Sequence, residues 1–217
     1  MSPDTGVHPI ITMTNCIKVI DNAFGNILCD DLIAYYINNE QTGEPQDWAD
    51  IDREQVSNVR CNDILLRHNS KESSDLIHRC QTCLQKVVMN YIEEVYTFTA
   101  HIDVGLSLRK IHGATRRHSD GVYVADDTGA VFERKLSVIV GLNNDFEGGE
   151  FYFPLQDFRT QVKRGQAICF PPYYTHPHEV SEPTNGYRYT INTWLTEVPP
   201  RNVYTIHKPS VHPSGDA

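Results

Sequence analysis

The chain has 217 residues, 40% hydrophobic and 22% charged, with 13 Gly and 12 Pro. That composition excludes a disordered or collagen-like chain, and the length suits one large domain with little room for two independent cores. Nineteen Lys+Arg against 28 Asp+Glu give a net charge of −9, and a uniformly acidic surface argues against nucleic acid, whose phosphates need clustered cations.

The charge is not uniform. Residues 1–108 hold 7 bases and 16 acids, residues 109–164 hold 9 and 8, and residues 165–217 hold 3 and 4. All of the net acidity therefore sits in the N-terminal half. The opening Met1-Ser-Pro-Asp-Thr-Gly has neither the basic nor the apolar region of a signal peptide. No run approaches the roughly 18 apolar residues that span a bilayer. The expected location is cytoplasmic, with no membrane partner. Cys16, Cys29, Cys61, Cys80, Cys83 and Cys169 are scattered, mostly among apolar neighbours, and read as buried free thiols. Cys80-x-x-Cys83 has a metal-site spacing, but no second Cys or His pair follows at the right distance.

In chain order, residues 16–20 read as a short strand. Asp30-Asp31 offer a cap for a helix through Asn38, with Leu32, Ile33, Tyr36 and Ile37 as its apolar side. Residues 40–54 carry six acids and one base, an expected acidic loop docked by Trp48. Residues 74–96 give the clearest helix, with Leu76, Ile77, Cys80, Leu84, Val87, Val88 and Tyr91 at helical spacing and Ser73 or Ser74 as cap. Cys83 falls on the same stripe. Beyond residue 100, short β-rich runs at 104–111, 134–142, 150–154, 160–163, 167–170, 178–182 and 187–195 alternate with turn signals. Strands so closely spaced, with no helices between them, predict a sandwich or barrel. Residues 121–133 contain the turn Asp126-Asp127-Thr-Gly129 and read as a short hairpin able to cover a site.

Three motifs carry chemistry. His118-Ser119-Asp120 places an imidazole and a carboxylate two apart, on one face of an extended chain. Alone it is a weak signal, equally a surface turn at Gly121. Thr175-His176-Pro177-His178-Glu179-Val180 follows, and a strand puts Arg188 ten residues after His178. Two His and one carboxylate on one face of a metal leave three positions open, which suits non-haem Fe(II). A planar Arg suits a carboxylate through paired hydrogen bonds. His176 competes with His178 for the metal; the spacing to Arg188 favours His178.

As a set these motifs resemble the 2-oxoglutarate and Fe(II)-dependent dioxygenases, specifically the prolyl 4-hydroxylase-like branch. Supporting pieces stand in order: Leu136-Ser-Val-Ile-Val-Gly-Leu-Asn143, Gly148-Gly149-Glu150-Phe151-Tyr152-Phe153-Pro154 and Lys163-Arg-Gly-Gln-Ala-Ile-Cys-Phe170. Pro177-His-Glu-Val180 is similar to the distal motif of the oxygen-sensing prolyl hydroxylases. The resemblance covers residues 14–197. It implies one domain there: helical support over 14–100 packed against a double-stranded β-helix core, jelly-roll or cupin-like, over 101–197. Residues 1–13 and 198–217 are then tails.

The resemblance also implies roles. His118, Asp120 and His178 are the expected metal ligands, and Arg188 the expected partner of a 2-oxoglutarate carboxylate. Fe(II), 2-oxoglutarate and O₂ are the implied cofactors, with ascorbate a further candidate. The implied reaction couples decarboxylation of 2-oxoglutarate to succinate with C–H hydroxylation of a peptidyl proline or related residue; a protein, a peptide or a small molecule is the substrate class. The alternative is a non-catalytic or differently catalytic cupin-type protein that binds or senses a metal. Where family members place a 2-oxoglutarate-binding Tyr, this chain has Thr115 and Gly141. Thr190 and Thr193, or Tyr123 and Tyr189, are the remaining candidate hydroxyls. Arg116, Arg117, Arg134 and Lys135 flank the first metal motif, either as a solvated rim or as a mouth for an acidic or peptide-like substrate. Tyr123 and His176 complete the candidate substrate rim. Trp194 reads as core.

Overall fold

The computed structural model describes residues 16–45, 61–95, 101–102, 105–121, 123–125 and 131–197. In chain order they form β1 (Lys18–Ile20), α1 (Asn26–Asn39), a 3-10 turn (Glu40–Thr42), β2 (Glu44–Pro45), β3 (Cys61–Leu66), α2 (Lys71–Glu94), β4 (His101–Ile102), β5 (Leu106–Ile111) and β6 (Thr115–His118). There follow β7 (Tyr123–Ala125), β8 (Val131–Gly141), β9 (Glu147–Gly148), β10 (Glu150–Phe153), β11 (Phe158–Gln161), β12 (Ala167–Phe170), β13 (His178–Val180), β14 (Pro183–Thr184) and β15 (Arg188–Glu197). The major sheet runs β1-β12-β8-β15-β5-β3-β2, with β4 also on β15 and β7 on β8. The minor sheet runs β11-β10-β13-β6, and β14 pairs with β9. All these pairings are antiparallel. Two antiparallel sheets with helices beside them are the expected double-stranded β-helix architecture.

Side chains alternate across a strand, and that alternation sorts the major sheet into two chemistries. Leu106 and Leu108 of β5, Val138 and Val140 of β8, and Ile191 and Leu195 of β15 share one core with Leu28 and Leu32 of α1 and Leu84 and Val87 of α2. The alternate residues Ile139 and Ile168 turn the other way and pack with Phe151, Phe153 and Val180 of the minor sheet. Further along this second face the residues are polar: Arg109, Arg188 and Asn192 line a cavity, with Trp194 beside them. One sheet thus separates a dry helical core from the cavity.

The N-terminal half is more than helical support, because β1 and β3 are strands of the major sheet. Helix α1 begins at Asn26, a turn before Asp30-Asp31, with Gly25 as an extended N-cap residue. The two acids act between elements instead: Asp31 pairs with Arg79 of α2 at 2.7 Å, and Asp30 with Arg164 at 2.8 Å. Ile37 is exposed and off the apolar side.

Helix α2 starts at Lys71, earlier than either Ser73 or Ser74 as cap would allow. Ser70 is the cap: its Oγ accepts from the Ser73 backbone N–H at 3.0 Å, and Ser73 Oγ accepts from the Ser70 N–H at 3.2 Å. This reciprocal pair satisfies two otherwise orphaned donors. Ser70→Ala should lower global stability by about 1 kcal/mol, read as a lower denaturant midpoint at unchanged slope.

Cys80 is buried and Cys83 packs against the same helical core. Burial pushes the Cys80 thiol up to about 12, so it is no thiolate at neutral pH, and both cysteines are free. That is the core reading of the pair. Trp48, residues 1–13 and residues 198–217 lie outside the described residues. Among the described residues no helix is long and apolar enough to cross a membrane.

Candidate functional site

The register of the minor sheet builds the metal motif. His118 ends β6, His178 begins β13, and the two are direct cross-strand partners, with ring centroids 4.5 Å apart. Sixty positions of sequence are thereby closed by one strand pair. His118 Nδ1 donates to the Arg116 carbonyl at 2.8 Å and His178 Nδ1 to the His176 carbonyl at 3.3 Å. A carbonyl only accepts, so both rings carry a proton on Nδ1, and the neutral form of each has its lone pair at Nε2. Those two Nε2 atoms face Asp120 Oδ1, at 3.3 Å from His118 and 3.7 Å from His178. The ligand atoms of the three residues all lie within 4.8 Å of one another.

Aromatic rings wall the His178 side: Phe170 and Phe153 have ring centroids 4.7 and 5.3 Å from it. Burial, against the attraction of Asp120, lowers the His178 pKa to about 4. Burial also pulls His118 down, but its contacts with Asp120 and the Arg116 carbonyl outweigh that and leave it raised. Asp120 is pushed up by burial, yet His118, His178 and Ser137 together hold it well below the usual carboxylate range. At neutral pH the cluster is a carboxylate with a neutral His178 beside it, an electron-rich set suited to a cation.

The other oxygen of Asp120 is clamped. Ser137 of β8 and Trp194 of β15 are register partners. Both donate to Asp120 Oδ2, Trp194 through Nε1 at 3.0 Å. Arg134 Nη1 donates to the Asp120 carbonyl at 2.7 Å and its guanidinium lies over the Trp194 ring. Trp194 is therefore a wall of the site and not core. Trp194→Phe removes one donor while keeping the ring's bulk. Metal affinity should fall roughly tenfold, the lower end of the range for losing a partner behind a ligand, measured by metal titration of the folded variant.

Arg188 opens β15 on the same face. It is 5% exposed and lines, with all three motif residues, a cavity of about 390 Å³. Its Nε and Nη1 are buried and find no acceptor among the described residues. A buried cation left this way is costly unless an anion joins it. Burial lowers its pKa to about 10, Arg109 adding to the effect and Cys61 opposing it; it is still a cation at neutral pH. Asn143 fixes its backbone, donating to the Tyr187 carbonyl at 2.8 Å and accepting from the Tyr189 N–H at 2.8 Å. Gly149, at φ 66°, sits so close that an added Cβ would come 3.2 Å from Arg188 Cδ and 2.8 Å from the Phe146 ring. The Leu-Asn and Gly-Gly motifs thus both serve to seat Arg188.

The remaining candidates fall differently. Thr190 is buried between Arg188 and Asn192 and donates to Asn192 Oδ1 at 2.7 Å. Arg116, Arg117 and Arg134 line the cavity, and Arg117 also pairs with Glu179 at 3.2 Å. His176 is 3% exposed and is not a rim residue: its ring faces Thr175 Oγ1 at 2.9 Å, and its carbonyl orients His178. Lys135 is tied to Glu133 and Glu197. The backbone of Tyr123–Ala125 pairs with that of β8, while residues 126–130 and the Tyr123 side chain lie outside the described part. Sequence reading missed Ser137, Asn192 and Arg109, although strict alternation from Arg188 and from Leu108 marks Asn192 and Arg109 as cavity-facing.

The residues present fit an iron(II) and 2-oxoglutarate site. Two imidazole nitrogens and one carboxylate oxygen are the facial donor set for that metal, and the orphaned Arg188 guanidinium in the same cavity suits a carboxylate. The family model described as 2OG-Fe(II) oxygenase superfamily matches residues 87–196. The chain belongs to that superfamily, whose members use Fe(II), 2-oxoglutarate and O₂. Over 68 residues it is 41% identical to prolyl 3-hydroxylase 1 of Gallus gallus, a match covering 29% of this chain and 9% of that one. Prolyl 3-hydroxylase 2 of Homo sapiens is 37% identical over 68 residues, covering 29% of this chain and 10% of the relative. The chain thus matches about a tenth of the length of these curated relatives. Among solved structures, the viral collagen prolyl hydroxylase of Paramecium Bursaria Chlorella virus-1 in complex with 2OG aligns at TM-score 0.61 and 19% identity, over 84% of this chain and 97% of that one. A Trichoplax adhaerens prolyl hydroxylase, in complex with a hypoxia inducible factor peptide, aligns at TM-score 0.64 and 17% identity, over 85% and 84%. At these identities the structural likeness is one of fold.

Proposed function

We propose that this protein is an Fe(II)- and 2-oxoglutarate-dependent oxygenase that hydroxylates a peptidyl proline or a related residue, releasing succinate and CO₂. The observation that carries the reading is Arg188: a buried guanidinium with two unsatisfied donors, in the cavity that also holds the His118-Asp120-His178 cluster. A metal-sensing protein of the same fold has no need of a buried cation there.

In this reading His118, Asp120 and His178 hold the metal, and Arg188 takes the far carboxylate of 2-oxoglutarate. Ser137 and Trp194 keep Asp120 ionised and turned so that Oδ1 faces the two imidazoles. The Phe153 and Phe170 rings keep water from the His178 side. Arg116, Arg117 and Arg134 are the substrate-side wall. Iron, bound with its cosubstrate and O₂, supplies the oxidising chemistry that no side chain has. A prolyl substrate is supported by the names of the relatives, prolyl 3-hydroxylases by sequence and prolyl hydroxylases by fold. The cytoplasm is the proposed location, supported by six cysteines that are all free.

The test is anaerobic addition of Fe(II) and 2-oxoglutarate, followed by O₂ with proline-rich peptides. A weak visible charge-transfer band, then succinate formation with a 16 Da gain on the peptide, is expected. No band and no succinate would overturn the enzyme reading; succinate without peptide modification would overturn only the substrate.

A further inference from the structure

Between Arg188 and the metal motif the cavity has apolar walls. Ile111, Ile139, Phe151 and Val180 line it together with those charged residues. Phe151 is the bulkiest of the four. It is 1% exposed and belongs to the core shared by the two sheets. Two contacts give its ring a place in the site. The Arg188 guanidinium carbon lies over it, 5.2 Å from the ring centre, within reach of a cation–π attraction. The His178 ring stacks beside it, with centroids 6.4 Å apart and an interplanar angle of 27°. One ring therefore seats the cation of the cavity and borders a histidine of the metal motif.

That ring is held rigidly. Strand β10 is paired on both sides, with Phe151 opposite Thr160 of β11 and Val180 of β13. Ile139, Phe153 and Phe170 fill the same core, and a packed interior resists the movement of any one member. Arg188 is equally confined. Asn143 bonds the backbone of the residues on either side of it, and its stem runs so close to Gly149 that a Cβ there would come 3.2 Å from Cδ. The spacing between guanidinium and imidazole is thus referred to one fixed wall. The cosubstrate of the proposed reaction has the matching order: a carboxylate, two methylenes, then a 2-oxo acid group. Its methylenes need an apolar surface between the two ends. A further methylene needs space that a packed ring denies.

We propose that Phe151 is a specificity-determining residue that sets the length of the dicarboxylate this cavity accepts. Its ring carries the methylenes of 2-oxoglutarate and excludes the additional methylene of 2-oxoadipate. This rests on the function proposed above. Phe151 brings neither charge nor hydrogen bond, so it acts on the fit of the acid between its two ends.

The test measures binding, not turnover. Anaerobic Fe(II) protein is titrated with 2-oxoglutarate and, separately, with 2-oxoadipate. The wild type should prefer the shorter acid by roughly tenfold or more, the usual worth of one methylene in a shaped pocket. Phe151→Leu, which opens space beside the chain, should narrow that preference to about threefold or less, by weakening 2-oxoglutarate and strengthening 2-oxoadipate. Phe151→Met is read beside it: it keeps the volume but replaces a rigid ring with a flexible chain, and should narrow the preference in the same direction. Val162→Ala loosens the same core from a position outside the cavity lining, and should leave the ratio unchanged. Both acids are measured on folded, iron-loaded protein, so a loss of stability alone does not move the ratio. An unchanged ratio in the Phe151 variants, or an equal narrowing in Val162→Ala, overturns the assignment. A wild type that binds both acids equally well overturns it too and leaves the proposed function standing; a wild type that binds neither overturns both.

Discussion

Asp120→Ala is expected to abolish metal retention and oxygenase activity together. Asp120 brings the one full negative charge among the three donor residues, and its pKa is held far below neutrality, so that charge is present throughout the physiological range. Losing it removes a donor and the charge that draws the cation in. The loss of Fe(II) affinity should exceed the 10–100-fold typical of partners behind a ligand, and is read by metal content after desalting and by anaerobic titration. The variant also strands Ser137 Oγ and Trp194 Nε1, which now share Asp120 Oδ2. Two buried donors without an acceptor cost on the order of 1–3 kcal/mol each, so the metal-free variant should melt earlier. An Asp120→Ala protein with wild-type iron content would end the ligand assignment.

Arg188→Met should separate affinity from stability in the opposite direction. Two charge-assisted bonds to a carboxylate, at about 1.5–3 kcal/mol each, put the loss of 2-oxoglutarate affinity at roughly a hundredfold or more. Yet without ligand the guanidinium is a buried cation whose Nε and Nη1 find no acceptor among the described residues, and its pKa is depressed to about 10 from its ordinary 12.5. A base with a depressed folded pKa costs stability at every pH where the unfolded chain is charged. Replacing it with an unbranched apolar side chain should leave the melting temperature of the ligand-free protein unchanged or raise it, as with other buried charges exchanged for hydrophobes. Adding 2-oxoglutarate should raise the melting temperature of the wild type and not of the variant. A variant that melts much earlier without ligand would show that Arg188 supports the fold and not the cosubstrate.

What the sequence made legible follows from how local each signal is. The spacing of His118, Asp120, His178 and Arg188 is readable because each lies at the end of a strand or just beyond it. The identity of the partners behind them is not, because Ser137 and Trp194 meet Asp120 only through the pairing of β8 with β15. Trp194 read as core on the strength of its size, although counting by twos from Arg188 places it on the polar face. Helix α1 was legible as a helix, but its start was misplaced because Asp30 and Asp31 look like caps and instead serve Arg164 and Arg79. Strand β3 went unread because Asp63 interrupts its apolar run, and that same Asp is buried in a pair with Arg109.

The two faces of β15 have a consequence for how the gene can vary. Arg188, Thr190 and Asn192 address the cavity while Ile191 and Leu195 address the helices, so both functions are written in one reading phase of the strand. A substitution can spoil either message separately. A single-residue insertion or deletion between Arg188 and Trp194 inverts the phase downstream of it, sending Leu195 toward Asp120 and Trp194 into the packed helical layer. Length variation in this segment should therefore be all-or-nothing in units of two.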